Sequence, residues 1–202
     1  MALQKSNQTE EKHMATRPRL PAAKMVTAKG LAHFAYIDKP DTEGQYADGK
    51  YKITLSFPEG HEFLNTLSAK VAELVQQQWG ANPPANMHNP IKIGSETNMD
   101  SMAGRVFIRA KSNKAPVLVD SQKQALTNGV TVFGGDTVKV ALTLAVYDGA
   151  QKGVTAYLDA VQLIEKRSAG TQGADMFGLE DGFVAEAGES NPVDSFDDDD
   201  DL

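Results

Sequence analysis

A chain of 202 residues, 41% hydrophobic and 23% charged, has an ordinary globular composition and is long enough for one domain or two small ones. The absence of cysteine excludes disulfides, thiolate metal sites and cysteine nucleophiles, and no apolar run nears the roughly 18 residues that span a bilayer. The formal charge of −7 is unevenly placed: Ser168 to Leu202 hold eleven of the 27 acids and none of the 20 bases, so a body of net charge +4 carries a strongly acidic appendage. Such asymmetry points to nucleic acid or to an acidic interaction tail.

Residues 1–23 are polar, with Pro18 and Pro21, and read as a flexible arm and not as a targeting peptide. Val26 to Ile37 predicts a strand bent at Gly30, followed by loop chemistry from Asp38 to Gly49. Lys50 to Phe57 alternates cleanly, with Tyr51, Ile53, Leu55 and Phe57 on one face and Lys50, Lys52, Thr54 and Ser56 on the other. Apolar residues from Phe63 to Trp79 keep the three-and-four spacing of one buried stripe, which predicts a helix over Glu62 to Trp79 stopped by Gly80. Three prolines and three asparagines make Ala81 to Pro90 a loop.

Gly104 to Lys111 predicts a second alternating strand, with Val106, Ile108 and Ala110 on one face and Arg105, Phe107, Arg109 and Lys111 on the other. Pro116 to Asp120 fits a short edge strand. Thr137 to Tyr147 and Val154 to Ile164, joined at Asp148-Gly149, predict a hairpin whose second arm bulges near Asp159-Ala160. From Ser168 onward, glycines space out acids and a few isolated apolar residues. The chain ends in Asp197, Asp198, Asp199, Asp200, Asp201 and Leu202. Too little apolar material is present there to offset the ordering entropy, so a disordered tail over 168–202 is expected.

Enzyme signatures are missing. His13, His33, His61 and His88 lack metal-ligand spacing, no phosphate-cradling glycine loop opens a helix, and nothing sets a nucleophile beside a base. Glu96 and Asp100 share a loop but read as solvated acids. Neither a metal, a cofactor nor catalysis is expected.

The positive signal is the face of Arg105, Phe107, Arg109 and Lys111, an aromatic ring flanked by cations. Unpaired nucleic acid is held by that combination, because cations track phosphates while rings stack on bases of any identity. Lys50 with Lys52, and Lys139 with Tyr147, form comparable stripes; Phe107 and Tyr147 lie on the less apolar face of their strands. Strand faces also carry Lys and Arg merely for solubility, so no single stripe decides the matter. Tyr51, Phe57, Phe34 and Phe63 are assigned to the core, as is Trp79. A tail of aspartates tethered to a basic body imitates phosphates at high effective concentration. It can occupy a cationic groove, yield to DNA, and then recruit a protein through Phe196, Asp197 to Asp201 and Leu202.

Lys50-Tyr51-Lys52 to Pro58, Gln78-Trp79-Gly80, Pro90-Ile91-Lys92-Ile93-Gly94, Ala103-Gly104-Arg105, Ala145-Val146-Tyr147-Asp148 and Lys152-Gly153-Val154 to Val161-Gln162 together resemble the single-stranded DNA-binding proteins of bacteriophages. The resemblance spans roughly Lys24 to Lys166 plus the character of the tail. It implies an OB-type β-barrel with one helix and a disordered acidic tail. Tails of bacterial and some phage analogues end in phenylalanine, whereas this one ends in Leu202.

The expectation is therefore a mainly β, OB-fold-like barrel with one long α-helix over 24–167, between the arm (1–23) and the tail (168–202). It would bind single-stranded DNA regardless of sequence in phage replication, recombination or repair, in the cytoplasm of the infected bacterium. Lys50, Lys52, Arg105, Arg109, Lys111 and Lys139 would meet phosphates, and Phe107 and Tyr147 would stack on bases. The tail would contact replication or recombination proteins, no membrane is involved, and self-association is left open. The rival readings are a phage scaffold or capsid accessory that assembles without DNA, and a DNA mimic built on the acidic tail.

Overall fold

The computed structural model describes residues 19–97, 102–127 and 129–167. Within them the chain is mainly β, with strands β1 (Ala22–Val26), β2 (Gly30–Asp41), β3 (Lys50–Pro58), β4 (Ile91–Ile93), β5 (Arg105–Ser112), β6 (Val117–Val119), β7 (Thr137–Asp148) and β8 (Lys152–Glu165). One helix, α1 (Phe63–Trp79), lies between β3 and β4. The acidic segment 168–202, with Phe196, Asp197 to Asp201 and Leu202, lies outside the described residues, as does Asp100.

The alternation read along β7 is realised strictly. Val138, Val140, Leu142, Leu144 and Val146 are buried, and the residues between them are half-buried. β8 returns antiparallel beside β7, with Ala141 opposite Ala160 but Leu142 opposite Leu158, which leaves Asp159 as the extra residue of the expected bulge. That bulge keeps Leu158 and Val161 both facing the core although they are three positions apart.

Pairing then closes a ring. β7 joins β2 through Gly30 and Leu31, β2 joins β3, β3 joins β5, β5 joins β8 in parallel, and β8 joins β7. This is the circuit an OB-type fold requires. β1, β4 and β6 are added outside it, on β7, β5 and β8 respectively. The inward side chains of all five ring strands form one core, with Phe57, Ile53, Leu55, Ile108, Leu142 and Leu144 almost wholly buried. Gly30 is required by this packing, since a Cβ there would stand 2.9 Å from both Leu55 Cγ and Phe57 Cε1.

α1 packs against β7, β8 and β1 through Leu67, Val71 and Leu74. It ends at Gly80, whose positive φ of 60° glycine adopts without the penalty a Cβ would bring. Trp79 packs on the core, and Gln78 donates to Asp148 at 3.1 Å, which ties the helix end to the β7–β8 turn.

Three expectations are corrected. The single strand Val26 to Ile37 is two strands, because Val26 pairs with β7 whereas β2 turns to pair with β3. β1 also reaches back to Ala22, within the segment read as the arm. Phe34, assigned to the core, is 48% exposed with φ at 47°, because β2 bulges there: three steps from His33 to Tyr36 oppose two from Thr54 to Lys52. A bulky residue in this backbone region costs on the order of 1–3 kcal/mol.

Candidate nucleic-acid interface

Directly paired residues of neighbouring strands point to the same side of a sheet. Thr54 pairs with Arg109, Ser56 with Phe107, Pro58 with Arg105 and Lys52 with Lys111 across β3 and β5. His33 on β2 pairs with Thr54, and Tyr157 on β8 with Lys111. The outward face of the ring therefore gathers the cationic stripe of β5 with aromatic residues from other strands.

Thr54 and Ser56 are 1% and 0% exposed although they lie on the outward face, because arginine side chains cover them. Arg105 Nε donates to Ser56 Oγ at 2.8 Å and a terminal nitrogen donates to Ser56 O at 3.3 Å, while Arg109 Nε donates to Thr54 Oγ1 at 3.2 Å. Anchoring Arg109 through Nε leaves its two terminal amino groups as a fork suited to phosphate. Ser56 Oγ also lies 2.8 Å from His33 Nε2. Burial, and then the positive charge of Arg105, hold the His33 pKa below its ordinary value. Both influences favour the uncharged imidazole.

Phe107 and Arg109 line a cleft of about 440 Å3 together with Pro90 and Lys92. A second cleft of about 330 Å3 is lined by Lys50, Asn113, Tyr147 and Tyr157. Both include Lys111, His88 and Thr155, so the two form one continuous groove. Among the described residues no carboxylate lines either cleft. Asp48 reaches in only by accepting from Lys111 at 2.6 Å, and that hydrogen bond holds the Asp48 pKa low.

The wall at His88 is backbone-built. His88 N donates to Lys152 O, Val154 N donates to His88 O, and His88 Nδ1 donates to Val154 O, each at 3.0 Å. Gly153 makes this approach feasible, because a Cβ there would lie 2.5 Å from His88 O. The His88 ring in turn sits 6.3 Å from that of Tyr147.

The structure brings Lys50, Phe107, Arg109, Lys111 and Tyr147 to this groove, and sets Arg105 on the same face. It places Lys52 and Lys139 elsewhere and covers the Phe107 ring. Lys52 is consumed by an ion pair with the buried Asp41 and by Asp48 at 3.4 Å, which leaves its side chain 11% exposed. Lys139 lines a separate small cleft with Val26 and Val119, about 26 Å along β7 from Tyr147 at 3.3 Å per residue. Phe107 is only 4% exposed, because its cross-strand neighbours Ser56 and Lys92 and its same-strand neighbours Arg105 and Arg109 surround the ring. It lies outside the main core cluster and offers the groove a covered apolar surface, not an open ring.

Tyr157, 50% exposed, is the aromatic residue that sequence reasoning passed over. Its signal was present, since it alternates with Val154, Ala156 and Leu158 on the polar side of β8, the same criterion that selected Tyr147. Tyr46, 84% exposed on the β2–β3 loop, and Lys92 on the unforeseen β4 were also missed.

A family model described as the ssDNA-binding protein of Enterobacter phage Enc34 matches residues 23–200. Three solved structures are similar in fold. A C-terminal truncation of the bacteriophage Enc34 single-stranded DNA-binding protein has a TM-score of 0.59 at 18% identity, over 72% of this chain and 87% of that one. The same protein in complex with single-stranded DNA matches at TM-score 0.59 and 18% identity, over 72% and 88%. The gp2.5 single-stranded DNA-binding protein of bacteriophage T7 gives 0.55 at 22% identity, over 82% and 100%. No curated protein matches the chain.

Proposed function

This chain belongs to the Enterobacter phage Enc34 ssDNA-binding protein family, and we propose that it binds single-stranded DNA without regard to sequence, in phage replication, recombination or repair. The observation that carries this reading is the groove itself. It has Lys50, Lys92, Arg109 and Lys111 along its length, the rings of Tyr147 and Tyr157 at one end, and no lining carboxylate among the described residues. An unpaired strand exposes both phosphates and base faces to such a surface, whereas duplex DNA keeps its base faces stacked away. Site residues in this reading are Lys50, Lys92, Arg105, Arg109 and Lys111 for phosphates, Tyr147 and Tyr157 for bases, and Phe107 as apolar support.

Titration of labelled oligo-dT at two salt concentrations tests it. Four phosphates met by Lys50, Lys92, Arg105 and Arg109, with Lys111 held by Asp48, at about 0.7 each for single strands, give a log–log salt slope near −3, or roughly a 50-fold loss of affinity for a fourfold rise in salt. Equal competition by duplex and single-stranded DNA would reject the proposal.

Asp48 belongs to the same reading as a built-in competitor for Lys111. Asp48→Asn is expected to tighten oligo-dT binding by up to about fivefold at low salt, the scale of an exposed ion pair of about 1 kcal/mol. The salt slope should steepen by about 0.7, because Lys111 would then exchange a counterion for phosphate.

The acidic segment is proposed as a displaceable occupant of the groove and, once displaced, as a docking strip for replication or recombination proteins through Phe196, Asp197 to Asp201 and Leu202. The match of the family through residue 200 takes in this segment and supports its belonging to the shared design. The proposed division is an arm, a binding domain ending at Arg167, and the acidic tail. Deleting Ser168 to Leu202 is expected to tighten binding, chiefly at low salt; unchanged affinity there would restrict the tail to docking or solubility.

A further inference from the structure

Phe34 is one of two non-glycine residues with positive φ among the described residues, the other being Lys123, and it is the one that carries a ring. The β2 bulge places this bulky residue at φ 47°, where L side chains are disfavoured, and yet the ring gains little burial in return, being 48% exposed. Bulges that re-aim one side chain cluster near functional sites, and strain retained without a packing reward points the same way.

The surroundings of Phe34 continue those of the groove. From Arg105 on the groove face, the chain of contacts runs through Ser56 Oγ to His33, whose ring centroid is 6.5 Å from that of Phe34. On the other side, the loop before β7 is stitched to β2 two residues from Phe34, by Gly135 N donating to Ala32 O and Ala32 N donating to Asp136 O. That loop carries Phe133, 57% exposed, with the Lys166 ammonium 4.7 Å from its ring centroid. Two exposed rings, Phe34 beside the His33 ring and Phe133 beside the Lys166 ammonium, thus stand one strand beyond the groove, and rings with a cation nearby are what an unpaired strand selects.

Resting on the reading of the groove as a single-stranded DNA site, we propose that Phe34 is a second base-stacking station. A strand leaving the groove past Arg105 crosses β3 and lays a base on Phe34, with Phe133 and Lys166 next along the path. The two exposed rings favour this occupant over the chain's own acidic tail, because stacking needs base faces that aspartates lack, and the Lys166 ammonium over Phe133 favours it over an apolar partner surface. The half-buried His33 ring lies between Arg105 and Phe34 and gives a base a flat surface along this path.

The test compares the full chain with Phe34→Asn and Phe34→Gly, since both residues accept the left-handed backbone and neither presents a stacking ring. Binding is measured by fluorescence anisotropy with oligo-dT of about 4 and about 16 nucleotides, the ends of the range that one OB module covers. Thermal melts of each variant establish that the fold is retained. The expected result is a loss on the order of 5- to 150-fold for the longer oligonucleotide, the value of one stacked base, with the shorter one unaffected. Equal losses at both lengths would make Phe34 a support of the groove, and no loss at either would leave it without a nucleic-acid role; both overturn the station. A change in self-association with unchanged DNA binding would assign the patch to a protein contact and overturn it equally. If the unmodified chain bound neither oligonucleotide, the groove reading itself would fall, an outcome distinct from wild-type binding that the variants merely match.

Discussion

Alanine at both Tyr147 and Tyr157 is expected to weaken oligo-dT binding by about 2–6 kcal/mol, because each stacked base contributes about 1–3 kcal/mol and the two rings occupy one cleft. Thr143 pairs with Tyr157 and Gly153 with Tyr147 across β7 and β8, so the two tyrosines are carried on adjacent strands of the same hairpin. Neither belongs to the core cluster. The double variant should accordingly melt close to the parent, and the loss will be one of binding, not of folding. Phenylalanine at both positions retains the rings and should recover most of the affinity. The check is a titration of the two double variants beside the parent at one salt concentration. A double alanine variant that bound like the parent would remove stacking from the account and leave only phosphate contacts.

Phe57→Ala is expected to cost about 3–5 kcal/mol of folding stability, the usual range for emptying a buried aromatic site. Phe57 is wholly buried, its ring centroid lies 5.2 Å from that of Phe63 at the start of α1 and 5.3 Å from that of His61, and Gly30 has no side chain so that this ring can fill the space. The cavity cannot close easily, because Phe57 sits where β2, β3 and the entry to the helix converge and each is held by its own pairing. Denaturant unfolding of parent and variant measures the difference. A loss below about 1 kcal/mol would mean that the ring strands repack freely around this position.

The elements themselves were largely legible in the sequence. The periodicity of Lys50 to Phe57, Thr137 to Tyr147 and the helix is a local property, produced by side chains that must alternate or spiral to reach one core, and the structure realises it within a residue or two. The bulge at Asp159 was legible for the same reason, since a break in alternation is itself local. The basic, aromatic character of β5 was equally visible, and Arg109 and Lys111 do line the groove.

Which strands become neighbours was not legible. Parallel pairing of β5 with β8 brings Tyr157 beside Lys111, and β4 brings Lys92 beside Phe107, through contacts between segments remote in the chain. Those neighbours turned Phe107 from an exposed ring into a covered one, and the buried Asp41 drew Lys52 into an ion pair. Lys139 shows the converse, a residue of the right type on the right strand that the length of β7 carries away from the groove. Composition and alternation thus settled that the chain makes a positively charged β domain with an acidic extension, because each is a property of consecutive residues. The groove was settled by ring closure alone, because a surface assembled across strands exists only once their order and register are set.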